Sequence, residues 1–345
     1  MSKLVRRTGA LALGFVLAGA SGIGAARAAA SDVRAQALAL FKPLAAPAPG
    51  PRARVELGRK LFHEPRLSKS GAISCNSCHN LATYGVDGRP TSLGHNFQVG
   101  DRNAPTVLNA RYHVAQFWDG RAKDLAAQAK GPILNPGEMA LPDAAAAVAK
   151  IKSIPGYQKD FEAAFPGQAN PVTYDHIAEA IATFEDTLVT PAPFDRFLQG
   201  DDRALTARQV KGLQTFMGKG CISCHQGLAV GGSMYMKFGL VKPYAHEGDP
   251  GRFKVTGNES DRNVFKVPSL RNVAMTAPYF HDGKVWDLQE AIHVMGETQL
   301  GVNLDRQETA DIAAFLESLT GEVPAQARLL PQLSASGPRT AHPEP

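Results

Sequence analysis

The chain has four cysteines, and all of them fall in two copies of one pattern: Cys75-Asn76-Ser77-Cys78-His79 and Cys221-Ile222-Ser223-Cys224-His225. C-x-x-C-H is the attachment signature of c-type haem. The spacing suits that chemistry. Each thiol adds across one vinyl group of the porphyrin, and two intervening residues let both sulfurs reach the same porphyrin edge. The following histidine then lies under the iron as its proximal ligand. Other uses of paired cysteines fit less well. A redox dithiol normally occurs once, on a βαβ unit, and no such unit is visible here. A structural zinc site needs four ligands brought together, and these pairs are far apart in the chain. Disulfides closed inside C-x-x-C loops would constrain almost nothing.

Covalent haem attachment takes place outside the cytoplasm, and the N-terminus is consistent with export. Lys3, Arg6 and Arg7 precede the apolar stretch Leu11 to Ala20, and Ala26-Arg27-Ala28 and Ala28-Ala29-Ala30 offer small-residue cleavage sites. Residues 1–30 are expected to be a signal peptide. An uncleaved anchor is the alternative, but the run is short and Gly-rich for a membrane span. Periplasmic localisation follows from the signal. The formal charge of +5 comes mostly from this leader, since its removal leaves 33 basic against 32 acidic residues. Nucleic-acid binding therefore has no electrostatic support.

A length of 345 residues is enough for two modest domains, and the order of short motifs suggests an internal duplication. Asp101-Arg102-Asn103, Pro105-Thr106-Val107-Leu108-Asn109, Phe117-Trp118-Asp119-Gly120 and Asp124-Leu125 reappear as Asp261-Arg262-Asn263, Pro268-Ser269-Leu270-Arg271-Asn272, Phe280-His281-Asp282-Gly283 and Asp287-Leu288. Trp118 and His281 occupy equivalent positions. Helical signals dominate: an Ala-rich run from Asp143 to about Ile154, a segment from Thr173 with Ile177, Ile181, Phe184 and Leu188 at helical spacing, and a Thr206/Gln209 capping box. Further helices start at Asp287 and run from Glu308 to Leu319. The expected fold is mainly α, with two cytochrome c-like haem domains at 31–190 and 191–322, joined at Thr190-Pro191-Ala192-Pro193. A tail at 323–345 either hangs loose or lies on the first domain.

From about Gly58 to Leu319 the chain resembles the bacterial dihaem cytochrome c peroxidase family. The resemblance rests on Gly58-Arg59-Lys60-Leu61-Phe62, both haem motifs, Leu93-Gly94-His95, Arg102-Asn103-x-Pro105-Thr106, Gln116 to Arg121, Gln128-Ala129-Lys130-Gly131-Pro132, Phe265 to Asn272 and Pro278 to Gly283. It implies two unlike haems. The first, under His79, would be the peroxidatic haem, with His95 as a sixth ligand that leaves when the second haem is reduced. The second, under His225, would receive electrons, with Met295 as its sixth ligand and Met275 as the rival. Methionine ligation raises a haem's potential.

By the same resemblance Trp118 conducts electrons between the haems, although a core tryptophan is the plainer reading. Glu138, in Asn135-Pro136-Gly137-Glu138-Met139, matches the distal acid–base residue. Gln128 matches a distal amide that orients peroxide. Asn103 by its side chain and Thr276 and Pro278 by their carbonyls match a calcium site between the domains, a set of oxygen donors suited to that ion. The implied activity is reduction of hydrogen peroxide with electrons from a small cytochrome c or copper protein, in a homodimer. Two other functions compete. A related class matures a tryptophylquinone cofactor in a partner protein and carries Tyr where this chain has Met295. A passive dihaem electron carrier would leave Glu138 and Gln128 without a task. His63, His113, His176, His246, His293 and His342 receive no role.

Overall fold

The computed structural model describes residues 30–47, 50–245 and 248–344. Residues 1–29 of the expected signal peptide lie outside these residues. The fold is mainly helical; among the described residues the only sheet pairs two three-residue strands, β1 (Tyr235–Lys237) and β2 (Val264–Lys266), antiparallel with Met236 opposite Phe265. No described helix is long and apolar enough to cross a membrane.

Among the described residues two large hydrophobic cores form, each around a helix pair, with a small third cluster of Tyr279, Val285 and Ala291. In the first, α2 (Arg52–Phe62) packs on α7 (Tyr174–Glu185). The contact is close because Gly58 has no side chain: a Cβ there would fall 1.8 Å from the Ala180 carbonyl oxygen. In the second, α9 (Ala207–Gly218) packs on α12 (Arg306–Glu317), and a Cβ on Gly212 would fall 1.8 Å from the Asp311 carbonyl oxygen. Phe184 and Phe315 lie beside these two glycines at matching places. Glycine costs helix stability, and here close backbone packing offsets that cost.

Helix starts follow the expected caps. The Asp143 carboxylate accepts from the Ala146 N–H at the head of α5 (Ala144–Ser153), and Thr173 does the same for His176 in α7. Thr206 and Gln209 exchange hydrogen bonds as a capping box on α9. The Asp287 carboxylate caps α11 (Leu288–Met295) through the Glu290 N–H.

The opening segment departs from the expected division at residue 31, whereas the tail lies on the first half, one of its two expected places. Residues 30–38 are helical, and Ala30, Val33, Ala37 and Phe41 are buried in the second core beside Phe194 and Phe197. Arg34 is paired with Asp202, and the Leu44 N–H donates to Asp195. The opening segment thus serves the second half of the molecule, because its apolar face finds unfilled aromatic surface there and not on α2. The tail makes the opposite crossing. Val323 and Ala327 join the first core, and Arg59 and Arg66 donate to the carbonyls of Leu329 and Ser334.

The Thr190–Pro193 connection is anchored at Thr190 and Ala192, both buried, while Pro191 is exposed. Thr190 Oγ1 accepts from the side-chain amides of both Asn109 (2.8 Å) and Asn272 (2.9 Å). Both asparagines have positive φ, 63° and 61°. Behind them lies the Arg271–Asp195 pair, a buried two-pronged ion pair at 2.7 and 2.8 Å. Asp195 also accepts from the Leu44 and Ala192 N–H groups. Removing one partner of such a pair costs about 3–5 kcal/mol, because the other charge stays buried.

Candidate functional site

Each Cys-x-x-Cys-His motif is a tight turn resting on its own core. Cys75 packs on the first core and Cys221 on the second. In both motifs the histidine N–H donates back to the carbonyl of the first cysteine, His79 to Cys75 at 2.9 Å and His225 to Cys221 at 3.0 Å. None of the four cysteines is in a disulfide. Burial pushes their thiols up, Cys221 to about 11, so they stay protonated thiols at neutral pH. Burial also lowers both histidines, His225 to about 4, which keeps the imidazoles neutral and able to bind metal.

Among the described residues, Nδ1 of His95 and Nε2 of His113 are buried without a hydrogen-bond partner, whereas the His79 ring meets the backbone of Gly85 and Pro105, and the His225 ring that of Val230 and Pro268. His79, His95 and His225 are the expected iron ligands. The second motif also opens onto a cavity of about 230 Å³, lined by Cys221, Cys224, His225 and Met295. A Cβ on Gly231, which has φ of 127°, would fall 2.2 Å from the Pro268 carbonyl oxygen and 3.1 Å from His225 Nδ1, so only glycine fits behind that imidazole. Paired free thiols, neutral histidines and this open, largely apolar cavity fit a covalently held haem.

Met295 ends α11 and faces the cavity, whereas Met275 is 49 % exposed and does not line it. The structure therefore brings Met295, and not its rival, into the space of His225.

Around the first motif, two loops are locked together. The His95 N–H donates to the Glu138 carbonyl at 2.8 Å, and Gly94 lies so close to Gly137 that a Cβ would fall 1.9 Å from its carbonyl oxygen. The Glu138 loop follows α4 (Leu125–Leu134), which starts at the Asp124 cap. Pro132 lies inside α4 and has no N–H to donate, yet the ladder continues past it to the Asn135 N–H on the Gly131 carbonyl. Beyond the helix, the Met139 N–H donates to the Pro132 carbonyl and the Leu141 N–H to the Ile133 carbonyl. Met139 and Leu141 are buried and anchor the loop.

Asn135 holds the Glu138 side chain directly, donating from Nδ2 to Oε1 at 2.7 Å while its own Oδ1 accepts from the Gly137 N–H. Burial raises the Glu138 carboxyl above its ordinary value, and the Asn135 hydrogen bond and Arg121 oppose this. Asn135 has no place among the sequence-derived site residues, although Asn-Pro-Gly is a turn signature that marks it. Gln128 sits on α4, and its carboxamide makes no hydrogen bond within the described chain.

Trp118 stands where the halves meet. Its Nε1–H donates to the Asn103 carbonyl (2.9 Å), and its own carbonyl accepts from the Lys266 N–H (2.7 Å). Its ring meets His281 edge-on at 6.3 Å, so the two equivalent positions of the repeated motif touch each other. The Asn103 N–H donates to the His281 carbonyl at 2.7 Å. Arg102 joins the halves electrostatically, bridging Asp119 at 2.6 Å and Asp249 at 2.9 Å. Asn103, Thr276 and Pro278 all line the large cavity beside Trp118. Asn103 Nδ2 is used on the Arg89 carbonyl at 2.9 Å, which leaves Oδ1 as the free acceptor.

Comparison with known proteins agrees with this arrangement. The sequence profile described as di-haem cytochrome c peroxidase matches residues 52–203. The cytochrome c551 peroxidase of Pseudomonas aeruginosa is 50 % identical over 327 residues, covering 91 % of this chain and 94 % of its own. The chain belongs to the di-haem cytochrome c peroxidase family. The cytochrome c551 peroxidase of Nitrosomonas europaea is also 50 % identical, over 303 residues, with 87 % and 90 % of the two chains covered. Among solved structures, a MauG-like protein associated with microbial copper homeostasis superposes with a TM-score of 0.74 at 28 % identity, covering 84 % of this chain and 97 % of that one. Two haem c groups accompany membership of the family, in keeping with the two attachment motifs.

Proposed function

We propose that this chain reduces hydrogen peroxide to two waters outside the cytoplasm, consuming two protons and two electrons from a small cytochrome c or copper protein. The observation that carries the reading is the locked pair of loops that sets Glu138 against His95 beside the first haem motif. Haem iron supplies the redox centre to which peroxide binds.

Cys75, Cys78 and His79 would hold the first haem, and Cys221, Cys224, His225 and Met295 the second. Glu138 acts as the acid–base. Asn135 occupies Oε1, and Oε2 is available to take the first peroxide proton and return it to the departing oxygen. Burial raises its pKa, which suits a group that must both accept and release a proton. The Gln128 carboxamide, which makes no hydrogen bond among the described residues, is available to orient peroxide. His95, buried on the loop tied to the Glu138 carbonyl, would help hold the first haem and would give way to peroxide.

Trp118 carries electrons between the halves, supported by its hydrogen bonds to each of them. Asn103 Oδ1 and the carbonyls of Thr276 and Pro278 would hold calcium at the junction, supported by their shared cavity wall. The two halves descend from one duplicated haem domain. The matched Gly58 and Gly212 helix crossings and the Asn109 and Asn272 bonds to Thr190 support this.

The test is steady-state peroxide reduction by the holoprotein with reduced cytochrome c, after one-electron reduction and with spectra of both haems. The expected result is turnover, with one methionine-ligated haem and the other five-coordinate and high-spin. Two six-coordinate low-spin haems that leave peroxide untouched would refute the reading and point to an electron carrier.

A further inference from the structure

Lys266 ends β2 and is only 6 % exposed. Its ammonium forms no ion pair within the described residues; its neighbour is His113 Nδ1, at 3.4 Å. Both side chains line the cavity that holds His225 and Trp118. No aspartate or glutamate lines that cavity. The other lysine on its wall, Lys219, is paired with Glu308. Arg102, nearby at the junction, is taken up by Asp119 and Asp249. An unpaired buried ammonium is disfavoured unless an anion reaches it. Burial pushes Lys266 down to about 8, and burial with the adjacent Lys266 holds His113 well below its ordinary value.

The hydrogen-bond pattern assigns the tautomer of His113. A neutral imidazole has one donor and one acceptor nitrogen. Nδ1 faces the Lys266 ammonium and accepts, so Nε2 carries the proton. That N–H is buried and has no partner. The site has room for the ring because residue 232 is glycine, where a Cβ would fall 2.5 Å from His113 Cδ2. One cation and one unpartnered N–H donor therefore lie side by side on the cavity wall. His113 comes from the first half and Lys266 from the second.

We propose that Lys266 and His113 form the receptor for a carboxylate of the haem attached at Cys221 and Cys224, fastening that haem across the junction next to Trp118. The inference rests on the second haem occupying the His225 cavity. Lys266 and His113 are positioning residues: they fix the haem edge beside Trp118, and the Lys266 charge favours the reduced iron. The Lys266 N–H bond to the Trp118 carbonyl ties the receptor to the proposed electron route.

The experiment uses the dihaem holoprotein. Mass spectrometry of the intact chain counts attached haems, and spectroelectrochemistry reads each haem's midpoint. Lys266→Met, with both haems attached, is expected to shift the reduction equilibrium of the second haem toward oxidised by about tenfold, or about 59 mV for one electron. The first haem should stay unchanged, and Lys266→Arg should restore the value. His113→Phe keeps the ring shape, loses the donor, and should shift the second haem in the same direction by a smaller factor. It also provides the test if Lys266→Met does not accumulate. Two attached haems with unchanged midpoints in both variants would overturn the proposal. So would a wild-type midpoint that moves across a phosphate titration, since the receptor would then take a free anion. A single haem, bound only at Cys75 and Cys78 in the wild type, would instead refute the reading on which the proposal rests.

Discussion

Gly94→Ala tests how closely the His95 and Glu138 loops must approach. The new Cβ would lie 1.9 Å from the Gly137 carbonyl oxygen, whereas a Cβ essentially never comes within 3.0 Å of such an atom. The loops must therefore part by about 1.1 Å. Backbone strain is not the cause, because Gly94 has φ of −101°, which alanine accepts. Parting by that amount stretches the 2.8 Å bond from the His95 N–H to the Glu138 carbonyl beyond hydrogen-bonding range. Overpacking of this kind costs about 1–3 kcal/mol. A displacement of about 1 Å in a catalytic group can lower the rate on the order of 100-fold. The assay is kcat/KM for peroxide in the dihaem protein, with thermal unfolding alongside. Gly137→Ala is the control on the same loop: its Cβ would meet nothing closer than 3.5 Å, so near-normal activity is expected. A Gly94→Ala protein with activity within about threefold of wild type would refute the claim that this contact positions Glu138.

Other expectations follow from single observations. Glu138→Gln should lower kcat/KM by about 10²–10⁴. In the wild type, activity should fall with falling pH through a point above 4.5, because burial raises this carboxyl and the base must be ionised; the variant should lack that limb. Met295→Leu should abolish the methionine–iron signature of the reduced or oxidised second haem, while Met275→Leu, at an exposed position outside the cavity, should leave the spectrum unchanged. Glu185 is buried, with Oε2 unpartnered, and burial raises it to about 8. The folded state therefore holds this proton where the unfolded chain has lost it, so the wild type loses stability as pH rises from about 4.5 to 8, at a limit of about 1.4 kcal/mol per pH unit. Glu185→Gln should remove that loss, and the gap in melting temperature between variant and wild type should widen with pH across this interval.

Chemistry confined to a few adjacent residues was legible in the sequence alone. Cys75-x-x-Cys78-His79 and Cys221-x-x-Cys224-His225 need only local backbone to bring two thiols and an imidazole together, so their spacing identifies the haem sites without a fold. Helix starts at Asp143, Thr173, Thr206 and Asp287 were equally readable, since a cap acts within three residues. Gly94, His95 and Glu138 could be named only by resemblance, and their contact arises between loops more than forty positions apart. Met295 and Met275 carry the same side chain; resemblance prefers Met295, and the fold sets Met295 on the cavity wall while Met275 stays exposed. The opening helix follows aromatic surface that the second core leaves open, which no periodicity reveals. His113 and Lys266, 153 residues apart, each read as ordinary side chains in sequence. Their meeting in a cavity without an acidic side chain is a property of tertiary packing, because the cost of a buried charge depends on what surrounds it in space and not on its neighbours along the chain.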